Sequence, residues 1–216
     1  MSGGGLTLAG LSKSRVEGLT DGIFSTVMTV LVLSLSIPVI ASSTSSSAVQ
    51  QQLIQDIDRL LPLILSYVLS FIVLGLYWSR HHNMFHFIVR MDQVLLWLNI
   101  LFLLTIGFIP FSTALMGTYP EFQIPVVVYG SNLIAIGVTL QSIWFYSRRY
   151  KLIHENTEGE IGRIYSRTIF GGPFVAAVGI VISFYNPEIS VVAYVVAPIT
   201  SILLGATRAR KISRRS

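Results

Sequence analysis

The chain has 216 residues, 52% of them hydrophobic and 12% charged, and its mean hydropathy is +0.69. That charge content is about half of the ~25% of soluble domains, and one soluble core of this size could not cover so much apolar surface, so a soluble enzyme is excluded. Cys is absent, which excludes disulfides, iron–sulfur clusters and thiolate zinc sites, and the net charge of +5 acquires meaning only from where its residues lie.

Crossing a bilayer core of ~30 Å takes ~20 apolar residues. Six segments meet that length and nearly fill the chain: 18–37, 60–79, 94–115, 125–146, 164–184 and 189–206. They predict an all-α, polytopic membrane protein, a single six-helix transmembrane domain over 1–216 with a basic tail at 207–216. The first twelve residues are Gly-rich and lack a charged region followed by an apolar run, so no cleavable signal peptide is expected.

Lys13 and Arg15 precede the first span. Arg80 and Arg90 flank the second connection, and Arg148, Arg149, Lys151, Arg163 and Arg167 flank the fourth. Arg208, Arg210, Lys211, Arg214 and Arg215 follow the sixth span. Every basic residue except Arg59 therefore falls on one side, which predicts that both termini are cytoplasmic. The basic tail is expected on anionic lipid headgroups, and no nucleic-acid partner is expected.

The first span carries the unusual polar pattern. At ~100° per residue, Gly22, Thr26, Val30, Leu33 and Ile37 share one stripe, Thr29 lies on its edge, and Asp21 points nearly the other way. Such a stripe fits close helix packing or a pore lining. Only Asp21 lies clearly inside a span, and Glu17 stands at its boundary. Spans two to six have no interior acid, which argues against an ion-coupled pump or antiporter.

Depth adds a second constraint. With a 1.5 Å rise per residue, Asp21 lies one turn in from the cytoplasmic end, where span two brings Trp78, His81 and His82 and span three brings Asn99. Those groups and Arg15 are donors that a carboxylate needs. Adjacent histidines point about 100° apart on a helix, so His81 and His82 are poor joint metal ligands and no metal or cofactor is expected. His86 and His154 read as loop residues. Pro62, Pro110, Pro173 and Pro198 are expected to kink or start helices. Ser66, Ser70, Thr105, Ser131, Asn132, Thr139, Gln141 and Ser142 are expected in hydrogen bonds between helices.

Arg15-Val16-Glu17-Gly18-Leu19-Thr20-Asp21 resembles the first-helix signature of the transmembrane protein 175 family of potassium channels, which reads Arg, three residues, Phe-Ser-Asp. Arg15 and Asp21 match, while Leu19 and Thr20 replace Phe and Ser. Trp78-Ser79-Arg80-His81-His82-Asn83-Met84-Phe85 is similar to the family's second-helix Trp-x-x-His-His-x-x-Phe segment. Asn99 and Phe108-Ile109-Pro110-Phe111 resemble its third-helix elements. The likeness runs from Arg15 to about Thr113.

The resemblance implies a homotetramer in which the first helix lines the pore. It implies a hydrogen-bond network of Arg15, Thr20, Asp21, Trp78, His81 or His82, and Asn99. It places the narrow hydrophobic position at Thr26, a threonine layer near the permeant potassium ion at Thr29, and a further aliphatic position at Leu33, with Val30 on the same stripe. Family members usually have Ile or Leu where this chain has Thr26. The implied activity is passive, potassium-selective cation flux across the cell membrane of a prokaryote. A small secondary transporter or a proton-conducting channel is the alternative. The chain has no Thr-Val-Gly-Tyr-Gly segment and no Arg-rich span, so neither a carbonyl-ring filter nor a voltage sensor is expected. No nucleophile–base set or metal motif points to an enzyme.

Overall fold

Inside a bilayer the backbone finds no water, so an apolar span must bond to itself as a helix. The computed structural model describes residues 12–35, 46–154, 160–187 and 189–194, with backbone alone at 48 and 160–170. Its helices are α1 (Lys13–Leu31), α2 (Ser46–Phe87), α3 (Gln93–Gly107), α4 (Ile109–Thr118), α5 (Gln123–Arg149) and α6 (Glu160–Ser183), with a 3₁₀ turn at Val32–Ser34. Residues 189–194 are also helical. Among the described residues, Lys13–Ser34, Val49–Phe87, Gln93–Thr118 and Gln123–Arg149 are long and apolar enough to cross a membrane, and Gly171–Ser183 adds a shorter apolar helix. Most of the expected sixth span, and the basic tail, lie outside the described residues.

Three boundaries differ from the sequence reading. α1 starts at Lys13 and tightens to 3₁₀ after Leu31, where Ser34 Oγ donates to the Leu31 carbonyl at 2.7 Å. α2 has 42 residues, a rise of ~63 Å, about twice the bilayer core. Its early turns are exposed, carry an Asp56–Arg59 pair at 3.3 Å, and extend beyond the length that a bilayer core requires. His86 lies within the last turn of α2 rather than in a loop. The third predicted span is two helices that meet at Phe108. Pro110 has no N–H to close the ladder, so the chain restarts there with Pro in the first turn of α4.

The core is organised on α5, whose Tyr129, Ile136, Leu140, Ile143 and Trp144 are fully buried. It packs against α3, α4 and α6, while α1 packs against α2, α3 and α4. Close approach of α5 and α6 depends on Gly137, where a Cβ would overlap the Pro173 ring. At the basic end, the α2–α3 connection pairs with the segment after α5. Ile88 and Ile153 form an antiparallel bridge, Val89 N–H donates to the Leu152 carbonyl at 2.8 Å, and His154 N–H donates to the Phe87 carbonyl at 3.1 Å.

The Gly137–Pro173 contact makes a direct prediction. Gly137→Val should force α5 from α6 and cost about 1–3 kcal/mol, the usual range for overpacking. Gly171→Ala, where a Cβ meets nothing within 4 Å, should be neutral or stabilising. Thermal midpoints of the detergent-purified variants check both.

Candidate functional site

α1 buries one stripe: Val16, Thr20, Phe24, Val27 and Leu31. The opposite side is exposed in the single chain and holds Gly18, Gly22, Thr26, Thr29, Val30 and Leu33. Leu33 is 77% exposed and Val30 40%. A Cβ at Gly18 or Gly22 would meet nothing within 4 Å, so no other described residue comes close to the helix at those two positions. The buried stripe also fixes the centre of the free face. Thr29 follows Thr20 by nine residues, about two and a half turns, so it points directly away from the core. It lies at the centre of the face, not on its edge, and Val30 is displaced to one flank.

Both threonines bond backwards. Thr26 Oγ1 donates to the Gly22 carbonyl at 2.8 Å, and Thr29 Oγ1 donates to the Thr26 carbonyl at 2.7 Å. With the hydroxyl hydrogens committed to backbone, only the oxygen lone pairs remain free. The face therefore presents acceptors at Thr26 and Thr29, and an exposed aliphatic at Leu33.

A buried polar chain holds α1 from behind. Thr20 Oγ1 donates to the Val16 carbonyl at 2.9 Å, so its oxygen must accept, and Asn99 Nδ2 donates to it at 3.1 Å. That leaves Asn99 Oδ1 facing His81 Nε2 at 2.8 Å, so the imidazole carries its hydrogen on Nε2. His81 is stacked between Phe85 and Phe102, with ring centroids 4.1 and 5.3 Å away. Thr20, His81 and Asn99 are all buried.

The network implied by resemblance is thus divided. Asp21 and Trp78 form a second, exposed unit in which Trp78 Nε1 donates to Asp21 Oδ1 at 2.8 Å. His82 joins this unit by stacking on Trp78 at 5.5 Å and makes no bond to Asn99. Among the described residues Arg15 is exposed and enters no hydrogen bond or ion pair with either unit. The reason is angular: the residues share a depth, but Asp21 lies on the flank of α1 and Thr20 in the core.

Several polar residues expected to cross between helices do so. Thr113 Oγ1 donates to Ser70 Oγ at 2.7 Å, Ser70 Oγ lies 3.0 Å from Tyr129 Oη, and Asn132 Nδ2 donates to Ser112 Oγ at 3.3 Å. Thr105, Thr139 and Ser142 instead donate to carbonyls of their own helices. Asp92 was missed as a structural residue. It caps α3 by accepting from Leu95 N–H at 2.8 Å, and its other oxygen accepts from Tyr146 Oη at 2.8 Å. Its position just before an apolar run was the available signal. Among the described residues no group of three His, Asp or Glu side chains could hold a metal.

Comparison with known proteins bears on this arrangement. Residues 15–110 match the family described as endosomal/lysosomal potassium channel TMEM175. A Chryseobacterium protein named a potassium channel is 33% identical over 60% of this chain. A Streptomyces collinus protein so named is 28% identical over 63% of it. The matched segments span 63% and 65% of those two relatives' own lengths. The crystal structure of a lysosomal potassium-selective channel TMEM175 homolog from Chamaesiphon minutus superposes with a TM-score of 0.73 at 25% identity, covering 88% of this chain and 96% of that one.

The divided network ranks three substitutions. Asn99→Leu strands the His81 donor and the Thr20 acceptor in the core and should cost about 1–3 kcal/mol. Asp21→Asn keeps an oxygen for the Trp78 indole, and Arg15→Ala removes no side-chain bond to a described residue, so both should shift the melting midpoint far less. Thermal unfolding of the three purified variants measures the order.

Proposed function

We propose that this chain, a member of the TMEM175 family, is one subunit of a homotetrameric potassium-selective channel whose pore is lined by the free face of α1. The observation that carries the proposal is a helix long and apolar enough to cross a membrane whose hydroxyl-bearing side is exposed and has no partner among the described residues. Four copies meeting at an axis would give that side a common aqueous space. Thr29 then supplies a layer of four hydroxyl oxygens near mid-membrane, which replaces part of a cation's hydration shell. Thr26 supplies a second wet layer nearer the basic end. Leu33, the most exposed aliphatic of the face, supplies the dehydrating constriction. Asp21, on the flank beside Trp78, belongs to the support of α1 rather than to the conduction path. The basic side faces the cytoplasm, and the site of action is the cell membrane.

Ion flux through the reconstituted protein tests this. Thr29→Val should yield a conducting tetramer whose potassium-to-sodium permeability ratio falls by roughly two- to tenfold, read from bi-ionic reversal potentials. A monomer by light scattering, or an unchanged ratio, counts against the reading.

The constriction makes a separate prediction. Leu33→Ala should raise flux, Thr26→Ile should lower it by adding a second aliphatic ring, and Val30→Ala should do less than either. Initial rates of potassium-driven dye uptake into liposomes order the three.

A further inference from the structure

On the basic half of the chain, α3, α5 and α6 leave a lateral groove of about 760 Å³, walled by Val94, Val138, Phe145, Tyr146 and Pro173, with Gln141 also lining it. Val94, Val138 and Phe145 are each at least half exposed there. The part along α5 runs from Val138 to Tyr146, ~12 Å, inside a span that is apolar enough to cross the membrane. In a span that crosses a bilayer, such a wall lies at the depth of the hydrocarbon core.

The end of the groove is chemically different. Tyr146 stacks on Tyr150 with centroids 4.5 Å apart, and the Arg149 guanidinium lies 5.9 Å from the Tyr150 ring. Arg90 N–H donates to the Leu152 carbonyl at 3.3 Å, which brings Arg90 to the same end as Lys151. Among the described residues, Arg90, Arg149 and Lys151 take part in no ion pair. Among the described residues the acid at this rim is Asp92, and both of its oxygens are already bonded, to Leu95 N–H and to Tyr146 Oη. An apolar groove therefore opens onto an aromatic pair and a rim whose described cations have no acid partner among the described residues.

We propose that this groove binds an anionic phospholipid of the leaflet on the basic side, with one acyl chain between Val138 and Val94 and the phosphate at Arg149 and its neighbours. Charge complementarity selects the occupant: the wall accommodates hydrocarbon, and the rim takes an anion attached to it. The inference does not depend on the pore assignment. Gln141 serves as an internal discriminator, because its buried Oε1 has no hydrogen-bond partner among the described residues. An acyl chain offers that oxygen no donor, so lipid binding has no need of it.

Native mass spectrometry of the delipidated 216-residue protein, titrated with phosphatidylglycerol or phosphatidylcholine, tests the proposal. The unaltered protein should retain phosphatidylglycerol about tenfold more strongly, the scale expected from a few nearby Arg and Lys side chains. Arg149→Gln with Lys151→Gln should bring the two lipids towards parity. Val138→Trp, at an exposed position, should fill the groove and lose both lipids while the oligomer and its melting midpoint persist. Gln141→Leu should leave retention unchanged or higher. Equal affinity of the unaltered protein for the two lipids overturns the proposal, as does undiminished retention in Val138→Trp. A change of oligomeric state in Val138→Trp overturns it in favour of a subunit interface. Loss of lipid in Gln141→Leu means that the occupant is a hydrogen-bond donor, and competition by free glycerol phosphate means that only a headgroup is bound. Loss of the preference only on removing Arg208–Arg215 moves the site to the tail.

Discussion

The rotation of α1 is the setting on which the rest of this molecule depends, and the Thr20–Asn99–His81 chain fixes it. A helix with aliphatics on several sides can turn about its axis at little cost, because one apolar contact replaces another. A buried hydrogen bond to a neighbouring helix removes that freedom, since each alternative rotation strands a donor and an acceptor. Here the bond chain has a single consistent direction: His81 Nε2 donates to Asn99, Asn99 to Thr20, and Thr20 to the Val16 carbonyl. Once Thr20 is pinned inward, helical geometry sends Thr29 outward. Two threonines nine residues apart thus have opposite tasks.

The elements behind α1 must be stiff for that setting to matter. The break at Phe108 contributes, because α4 can take a path that a continuous helix could not. It places Ser112 against Asn132 of α5 and Thr113 against Ser70 of α2, with Tyr129 closing the group. Each of these groups is buried, and each has a partner, so the cluster acts as a polar clamp among α2, α4 and α5, to which the Tyr77 hydroxyl adds a bond to the Leu133 carbonyl at 3.3 Å. Gly137 and Pro173 seat α6 on α5 by shape rather than by hydrogen bonds.

Depth was legible in the sequence and azimuth was not. A constant rise per residue put Asp21, Trp78, His81, His82 and Asn99 at one level from span limits alone. Which of them touch depends on how each helix is turned, and that is decided by packing partners elsewhere in the chain. Spacing at ~100° per residue from Gly22 and Thr26 runs the stripe through Val30, whereas the buried stripe shows Thr29 at the centre of the opposite face. The α3–α4 break could be read from Pro110. An outward extension of α2 over Gln51–Arg59 was legible as an option, since Val49, Leu53, Ile57 and Leu61 recur at helical spacing, but the Ser- and Gln-rich stretch before it reads as a loop. Asp92 escaped because it lies between spans, where a capping role is local and a search for intramembrane charge does not reach.

The two histidines show how adjacent residues separate support from surface. Neighbours on a helix differ by about 100°, so His81 and His82 cannot share an environment. His81 enters the gap between Phe85 and Phe102, where its N–H can be satisfied only by Asn99. His82 stays outside and covers Trp78, whose indole N–H is given to Asp21. The first pair sets the angle of α1, and the second braces its flank close to the free face. A substitution that exchanged the order of these two side chains would preserve composition and depth but lose both functions. The same helical geometry that separates them also keeps the carboxylate of Asp21 away from the oxygens of Thr29. In the proposed pore, the oxygens that face the axis are thus neutral hydroxyls, whose weak hold on a cation suits passage.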